Sequence, residues 1–146
     1  MKSQSPLNEI YKKGLYGDYE NKNKENLIKI KEVSNLNIFQ IVKYKNSKVS
    51  TNDLDIDGLK LSEKINSVMT NGKTRILWFG PNNWLAVSED KNLFHKVNKN
   101  AKETDFAITD LSNSRTIIEI EGKLIKEVLK KGCPFNFNEL SKNNCI

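Results

Sequence analysis

The hydrophobic period changes at Gly122, and that change constrains the fold more than any other feature of the chain. Before it, Thr116, Ile118 and Ile120 alternate with Ile117, Glu119 and Glu121, the period of a strand with one buried face. After it, Leu124, Ile125, Val128 and Leu129 recur at helical spacing, and Lys123, Lys126, Glu127, Lys130 and Lys131 fill the opposite side. Gly132 stands where a helix C-terminus takes a left-handed residue, and Pro134 blocks continuation. The run from Phe106 to Leu111, apolar and β-branched, precedes all of this. Residues 105–134 therefore predict strand, strand, glycine, helix, stop.

The same reading extends upstream. Apolar residues alternating with lysine predict a strand over 27–33, and a second follows at 36–44. Asp57 reads as an N-cap, with Leu61, Ile65, Val68 and Met69 forming the apolar stripe of a helix over 58–70 that Asn71-Gly72 closes. Residues 74–79 and 84–87 predict a hairpin about the turn Gly80-Pro81-Asn82-Asn83. Ser88 reads as the cap of another helix, with Glu89 and Asp90 in its first turn and Leu93, Phe94 and Val97 inward. Residues 134–146 read as a loop with Phe135 and Phe137 packing back. The order β-β-α-β-β-α-β-β-α predicts an α+β fold, mainly antiparallel sheet with helices packed on it. Residues 1–26 form a polar arm that Pro6, Leu7 and Ile10 can anchor, and 27–146 read as one domain.

Composition excludes several functions. The 146 residues carry a net charge of +6, but Arg75 and Arg115 are the only arginines. RNA-binding sheets interleave aromatics with arginine, so a lysine excess of this kind reads as a solvated surface and not a nucleic-acid site. Cys133 and Cys145 have neither disulfide-framework nor zinc spacing. No window approaches the ~20 apolar residues of a membrane span, and the first residues lack a signal-peptide core. A soluble, cytoplasmic protein is expected.

Several short motifs resemble functional sites but fit a structural role better. The segment DLDIDG at 53–58 begins like a calcium loop, but its twelfth position is Lys64 where a bidentate glutamate is required. NGKT at 71–74 ends like a phosphate loop, yet a helix is predicted before it and a strand after it, the reverse of a phosphate cradle. His95 has no identifiable orienting partner for base catalysis, and Cys133 follows a helix C-terminus, where the dipole opposes a thiolate. Asp110 and Ser112 read as an Asx-type turn, with Arg115 placed to pair with Asp110 or to hold a partner carboxylate. Trp78 and Trp84 bracket the hairpin turn, as core residues or as interface anchors. No catalytic, cofactor-binding or metal-binding residue is assigned.

The pieces TDLSNSR (109–115), EG (121–122) and KKGCPFNFN (130–138), with TRILWFGPNNWLAVS (74–88) upstream, resemble the gamma subunit of heterotetrameric sarcosine oxidase. That subunit is a small member of the glycine-cleavage T-protein-like group, and the likeness runs from about residue 37 to 138. It implies a T-protein-like, folate-binding-type domain lacking the family's last strands, with an unpaired sheet edge in isolation. Asn82-Asn83 stand where the family often has an acidic residue. The resemblance further implies a non-catalytic subunit of a complex that demethylates sarcosine to glycine with hydrogen peroxide, passing the one-carbon unit to tetrahydrofolate. The partners implied are alpha, beta and delta subunits holding FAD, FMN, NAD and zinc, with no cofactor in this chain. Trp78, Trp84, Asp110, Ser112 and Arg115 become candidate interface residues. The alternative is a stand-alone folate-binding, one-carbon-transfer protein of the same group.

Overall fold

The computed structural model describes residues 5–7, 9–10, 14–16 and 27–146, so most of the predicted arm lies outside the described residues. Contacts divide the chain into two compact units where one domain was expected: 1–34 with 116–140, and 35–115 with 141–146.

The first unit holds a three-stranded antiparallel sheet in the order β1 (Gly14–Tyr16), β2 (Ile28–Val33), β8 (Ile117–Glu121). Lys29 and Lys31 of β2 lie opposite Glu121 and Glu119 and form ion pairs of 3.1 and 3.7 Å. Those pairs are solvent-exposed and add little energy, but like charges there would oppose this register. Gly122 ends β8 with φ +153°, and a Cβ there would meet the Leu27 carbonyl oxygen at 3.0 Å, so the period change occurs where only glycine fits. Helix α2 (Ile125–Lys130) follows, one turn shorter than predicted, with none of its residues fully buried. Phe137 is buried edge-on to Phe135, as the sequence anticipates.

The second unit is a five-stranded antiparallel sheet in the order β4 (Val68–Thr70), β5 (Thr74–Gly80), β6 (Asn83–Ser88), β3 (Asn37–Lys43), β7 (Phe106–Asp110). Phe39, Ile41, Ile76, Trp84 and Ala86 project to one side, where Leu54, Ile56, Leu61, Phe106 and helix α1 (Leu93–Asn100) close the core through Leu93 and Val97.

Two expectations are corrected in this unit, and β7 and β8, neighbours in the chain, fall in different sheets: β7 pairs with β3, and β8 joins β2. The predicted helix over 58–70 is absent. Asp57 and Gly58 both adopt positive φ, +56° and +78°, and Ile56 and Leu59 exchange two backbone hydrogen bonds of 3.0 Å. This is the geometry of a tight two-residue hairpin, for which Asp-Gly is a preferred pair. With Asp57 left-handed it cannot serve as an N-cap, and Val68–Thr70 pair with β5 instead. Finally, Ser88 ends β6 and does not cap α1, which begins at Leu93.

The expected unpaired edge is also changed at β4. Val68 N–H donates to the Asn143 carbonyl at 3.0 Å and Cys145 N–H to the Asn66 carbonyl at 2.7 Å, so the last residues meet that edge through an isolated antiparallel bridge of Ser67 with Asn144.

Candidate functional site

Two polar constellations link distant segments of the second unit through side-chain hydrogen bonds. The first surrounds the connection after β7. Ser112 N–H donates to Asp110 Oδ1 at 2.9 Å, the Asx-type turn anticipated from the spacing. Ser112 Oγ donates to the same carboxylate oxygen at 2.6 Å and accepts from Ile38 N–H at 3.0 Å and Asn37 Nδ2 at 3.1 Å. A hydroxyl has one proton and two lone pairs, so Ser112 is fully committed. Buried Asn37 then turns its Oδ1 to Phe94 N–H at 2.8 Å, which caps the first turn of α1 from a neighbouring strand. The cap that sequence reasoning placed at Ser88 is supplied here by Asn37.

Arg115 is exposed and forms no ion pair with Asp110; the predicted pairing is not made. Asp110 Oδ1 is already occupied by Ser112, and Arg115 N–H closes the turn onto the Leu111 carbonyl at 3.0 Å. Replacing Ser112 with alanine leaves Ile38 N–H and the Asn37 amide without their acceptor. The expected loss is about 1–3 kcal/mol of stability, read as a lower urea midpoint. An unchanged midpoint would show that the latch contributes nothing.

The second constellation was not anticipated. Thr74 and Ser88, both 0% exposed, face each other on β5 and β6 with hydroxyls 2.8 Å apart. Thr74 Oγ1 donates to Asp57 Oδ2 at 2.7 Å, and Ser88 Oγ accepts from Asp90 N–H at 3.1 Å. Because an ionised carboxylate only accepts, Thr74 must spend its proton on Asp57, and Ser88 must donate to Thr74. The chain of donors thus runs one way, from Asp90 N–H through Ser88 and Thr74 to Asp57. Asn71 Nδ2 adds a further donor to Asp57 Oδ2 at 2.9 Å, and its Oδ1 accepts Thr74 N–H at 2.8 Å.

The Asn71 amide, followed by the Thr74 hydroxyl, holds the Asp57 carboxyl below its ordinary value of 3.8. A depressed carboxyl contributes stability that is present above its unfolded value and lost as pH falls through its folded value. Asp57 should therefore titrate by carboxyl NMR with a midpoint below that of an unstructured peptide, and Thr74→Val should raise that midpoint. A midpoint insensitive to Thr74→Val would break the proposed chain of donors. Asp90 is likewise lowered, first by Lys96 Nζ at 2.7 Å and then by Asn92 N–H.

The remaining candidates separate clearly. Trp84 is 1% exposed, and its indole N–H donates to the Ser62 carbonyl at 2.7 Å, so it belongs to the core and offers no surface to a partner. Trp78 is half-buried, and its neighbour Phe79, in the bulge between Trp78 and Gly80, is 58% exposed. His95 is exposed beside Phe94. Cys145 is half-buried at the β4 edge, its thiol pushed up by burial and directed at the Trp78 carbonyl at 3.4 Å. Among the described residues no group of three or more His, Cys, Asp or Glu is placed to hold a metal ion, and no described helix is long and apolar enough to cross a membrane.

The far side of the five-stranded sheet is apolar as well. The register sets Val68, Leu77 and Leu85 in one row across β4, β5 and β6, continuing to Gln40 and Thr109. The adjacent row reads Thr70, Arg75, Val87, Ile38. An antiparallel sheet with a solvated face normally alternates apolar and polar residues. Here IleLeuTrpPhe in β5 and TrpLeuAlaVal in β6 do not alternate. That continuous run is the signal that a pattern search for one buried face passes over.

No family model matches the chain, and a search of curated proteins finds no match. Among solved structures, the chain is similar to a chain of heterotetrameric sarcosine oxidase from Corynebacterium sp. U-96 in complex with pyrrole 2-carboxylate. The TM-score is 0.69 at 22% identity, over 80% of this chain and 62% of that chain. At this identity the likeness is one of fold, and the chain spans less than two thirds of the length of the neighbour.

Proposed function

We propose that this chain is a non-catalytic, gamma-type subunit of a sarcosine oxidase complex, with a T-protein-like fold. The observation that carries the reading is the shared fold over 80% of the chain with a subunit of a heterotetrameric sarcosine oxidase. Two features of the chain agree with it. The Asp110–Ser112 and Asp57–Thr74–Ser88 constellations spend their hydroxyl protons on structural hydrogen bonds within the unit. The five-stranded sheet carries apolar side chains on both faces, as a subunit that docks through one of them would. In this role the oxidation of sarcosine to glycine, the release of peroxide and the transfer of the one-carbon unit to tetrahydrofolate belong to partner alpha, beta and delta subunits. FAD, FMN, NAD and zinc reside in those subunits. This chain supplies architecture.

Co-expression with the large flavoprotein subunits, followed by affinity capture and mass determination, tests the reading. A stoichiometric complex that releases peroxide with sarcosine supports it. A chain that stays alone in the presence of folded partners would sink it, and tetrahydrofolate binding by that lone chain would favour the one-carbon-transfer alternative.

A further inference from the structure

We propose that Asn71 is a site of spontaneous deamidation held in check by Asp57, and that its conversion to a carboxylate disconnects the Asp57 turn from β5. The sequence contains one Asn-Gly pair, Asn71-Gly72, and one Asp-Gly pair, Asp57-Gly58. With no Cβ on the glycine, its backbone nitrogen is open to attack the preceding side-chain carbonyl carbon. The fold brings these two reactive pairs together: Asn71 Nδ2 donates to the Asp57 carbonyl at 2.8 Å and to Asp57 Oδ2 at 2.9 Å. All four residues are exposed, so water and hydroxide reach them.

The reaction needs nothing else. The Gly72 nitrogen, having lost its proton to hydroxide, bonds to Asn71 Cγ. The Cγ–Nδ2 bond then breaks, and the nitrogen takes a proton from water and leaves as ammonia, regenerating hydroxide. Water opens the resulting cyclic imide at either carbonyl, giving aspartate or isoaspartate. The net change is amide plus water to acid plus ammonia. The folded state opposes the first step. Lys73 N–H and Thr74 N–H donate to Asn71 Oδ1 at 3.0 and 2.8 Å, so both polar atoms of the amide are engaged, each with two partners. Gly72 N–H itself donates to Thr70 Oγ1 at 3.1 Å. The side chain turns to the glycine nitrogen only when these bonds open, so the rate follows local opening of the turn. The product acts on the same neighbours. A carboxylate at position 71 has no proton for Asp57, and two negative groups then meet where a donor met an acceptor. Isoaspartate also adds a methylene to the backbone between β4 and β5.

The test ages the full chain at mildly alkaline pH, with and without urea, and follows the peptide holding Asn71 by mass spectrometry. Conversion is expected in both, slower in the folded chain by roughly tenfold or more, the scale of opening hydrogen bonds to a charged group. Equal wild-type rates with and without urea would remove the gate, and no conversion in urea would remove the site. Asp57→Gly keeps a residue suited to the positive φ of that turn and deletes the carboxylate. It should speed conversion in the folded chain and leave the rate in urea unchanged; an unaltered folded rate would overturn the role given to Asp57. Asn71→Asp supplies the product directly and should lower the exchange protection of the Leu59 amide, which bonds the Ile56 carbonyl across the Asp57 turn. Protection equal to wild type would show that the modification disconnects nothing.

Discussion

Replacing Trp84 with alanine is expected to lower the unfolding free energy by about 3–5 kcal/mol, a large fraction of what a domain of this size possesses. The indole is 1% exposed at the centre of a core built from Phe39, Ile41, Ile76 and Leu61. Its removal opens a cavity larger than those side chains can close, since packed interiors relax only in part. The ring also donates to the Ser62 carbonyl at 2.7 Å, which holds the loop before β4 against the sheet. Trp84→Phe keeps most of the apolar volume and removes only that donor, so its cost should be smaller, about 1–3 kcal/mol. Urea unfolding read by circular dichroism separates the two variants, with midpoints falling in that order and slopes unchanged. Equal midpoints for wild type and Trp84→Ala would mean that the indole is not a core element and would return it to the interface candidates.

Gly122→Ala carries the second large effect. The residue has φ +153°, which side-chain-bearing residues rarely adopt, and its new methyl group would press on the Leu27 carbonyl oxygen at 3.0 Å and the Ile28 Cα at 3.4 Å. Both neighbours are backbone atoms at the start of β2, so neither can rotate away. A backbone forced into such a region costs about 1–3 kcal/mol, and the contact adds to it. The strain falls where β8 leaves β2, beside the Lys29–Glu121 pair. Faster amide exchange at Ile30 and Ile120 is the expected signature. Protection equal to wild type at those amides would show that the chain tolerates a side chain at this bend.

Six of the strands were legible because each has a local signature. The segments 28–33, 37–43, 74–80, 83–88, 106–110 and 117–121 all emerge within a residue or two of their predicted limits, since β-branched and apolar residues cluster there between turn formers. The Asx turn at Asp110–Ser112 was legible for the same reason, a side chain bonding its own backbone two residues on. The helix predicted over 58–70 failed where two local signals competed. Leu61, Ile65, Val68 and Met69 have helical spacing, but Asp57-Gly58 between Ile56 and Leu59 is a hairpin signal, and the two bridging hydrogen bonds satisfy it. Leu61 then enters the core while Ile65 stays in solvent, an arrangement no helical stripe would permit.

The polar constellations were harder to read, because their members are far apart in the chain. Asn37 meets Ser112 and Phe94, and Asp57 meets Asn71 and Thr74, only after the sheet has formed. Complementary charge offered one overlooked clue: Lys29 and Lys31 alternate at the spacing of Glu119 and Glu121, the residues they oppose.

By itself the sequence determined where six of the strands, the glycine bend and the final helix lie, since periodicity, β-branching and the conformational freedom of Gly122 act over a few residues. It also held the fold resemblance that the structure bears out at the level of overall likeness. Only the tertiary structure decided which strands pair, dividing β7 and β8 between two sheets, committing Trp84 to the core and leaving Arg75 exposed on an apolar face. Those outcomes depend on contacts between segments tens of residues apart, where the energy of burial and register, and not local preference, selects among pairings that the sequence pattern leaves equally open.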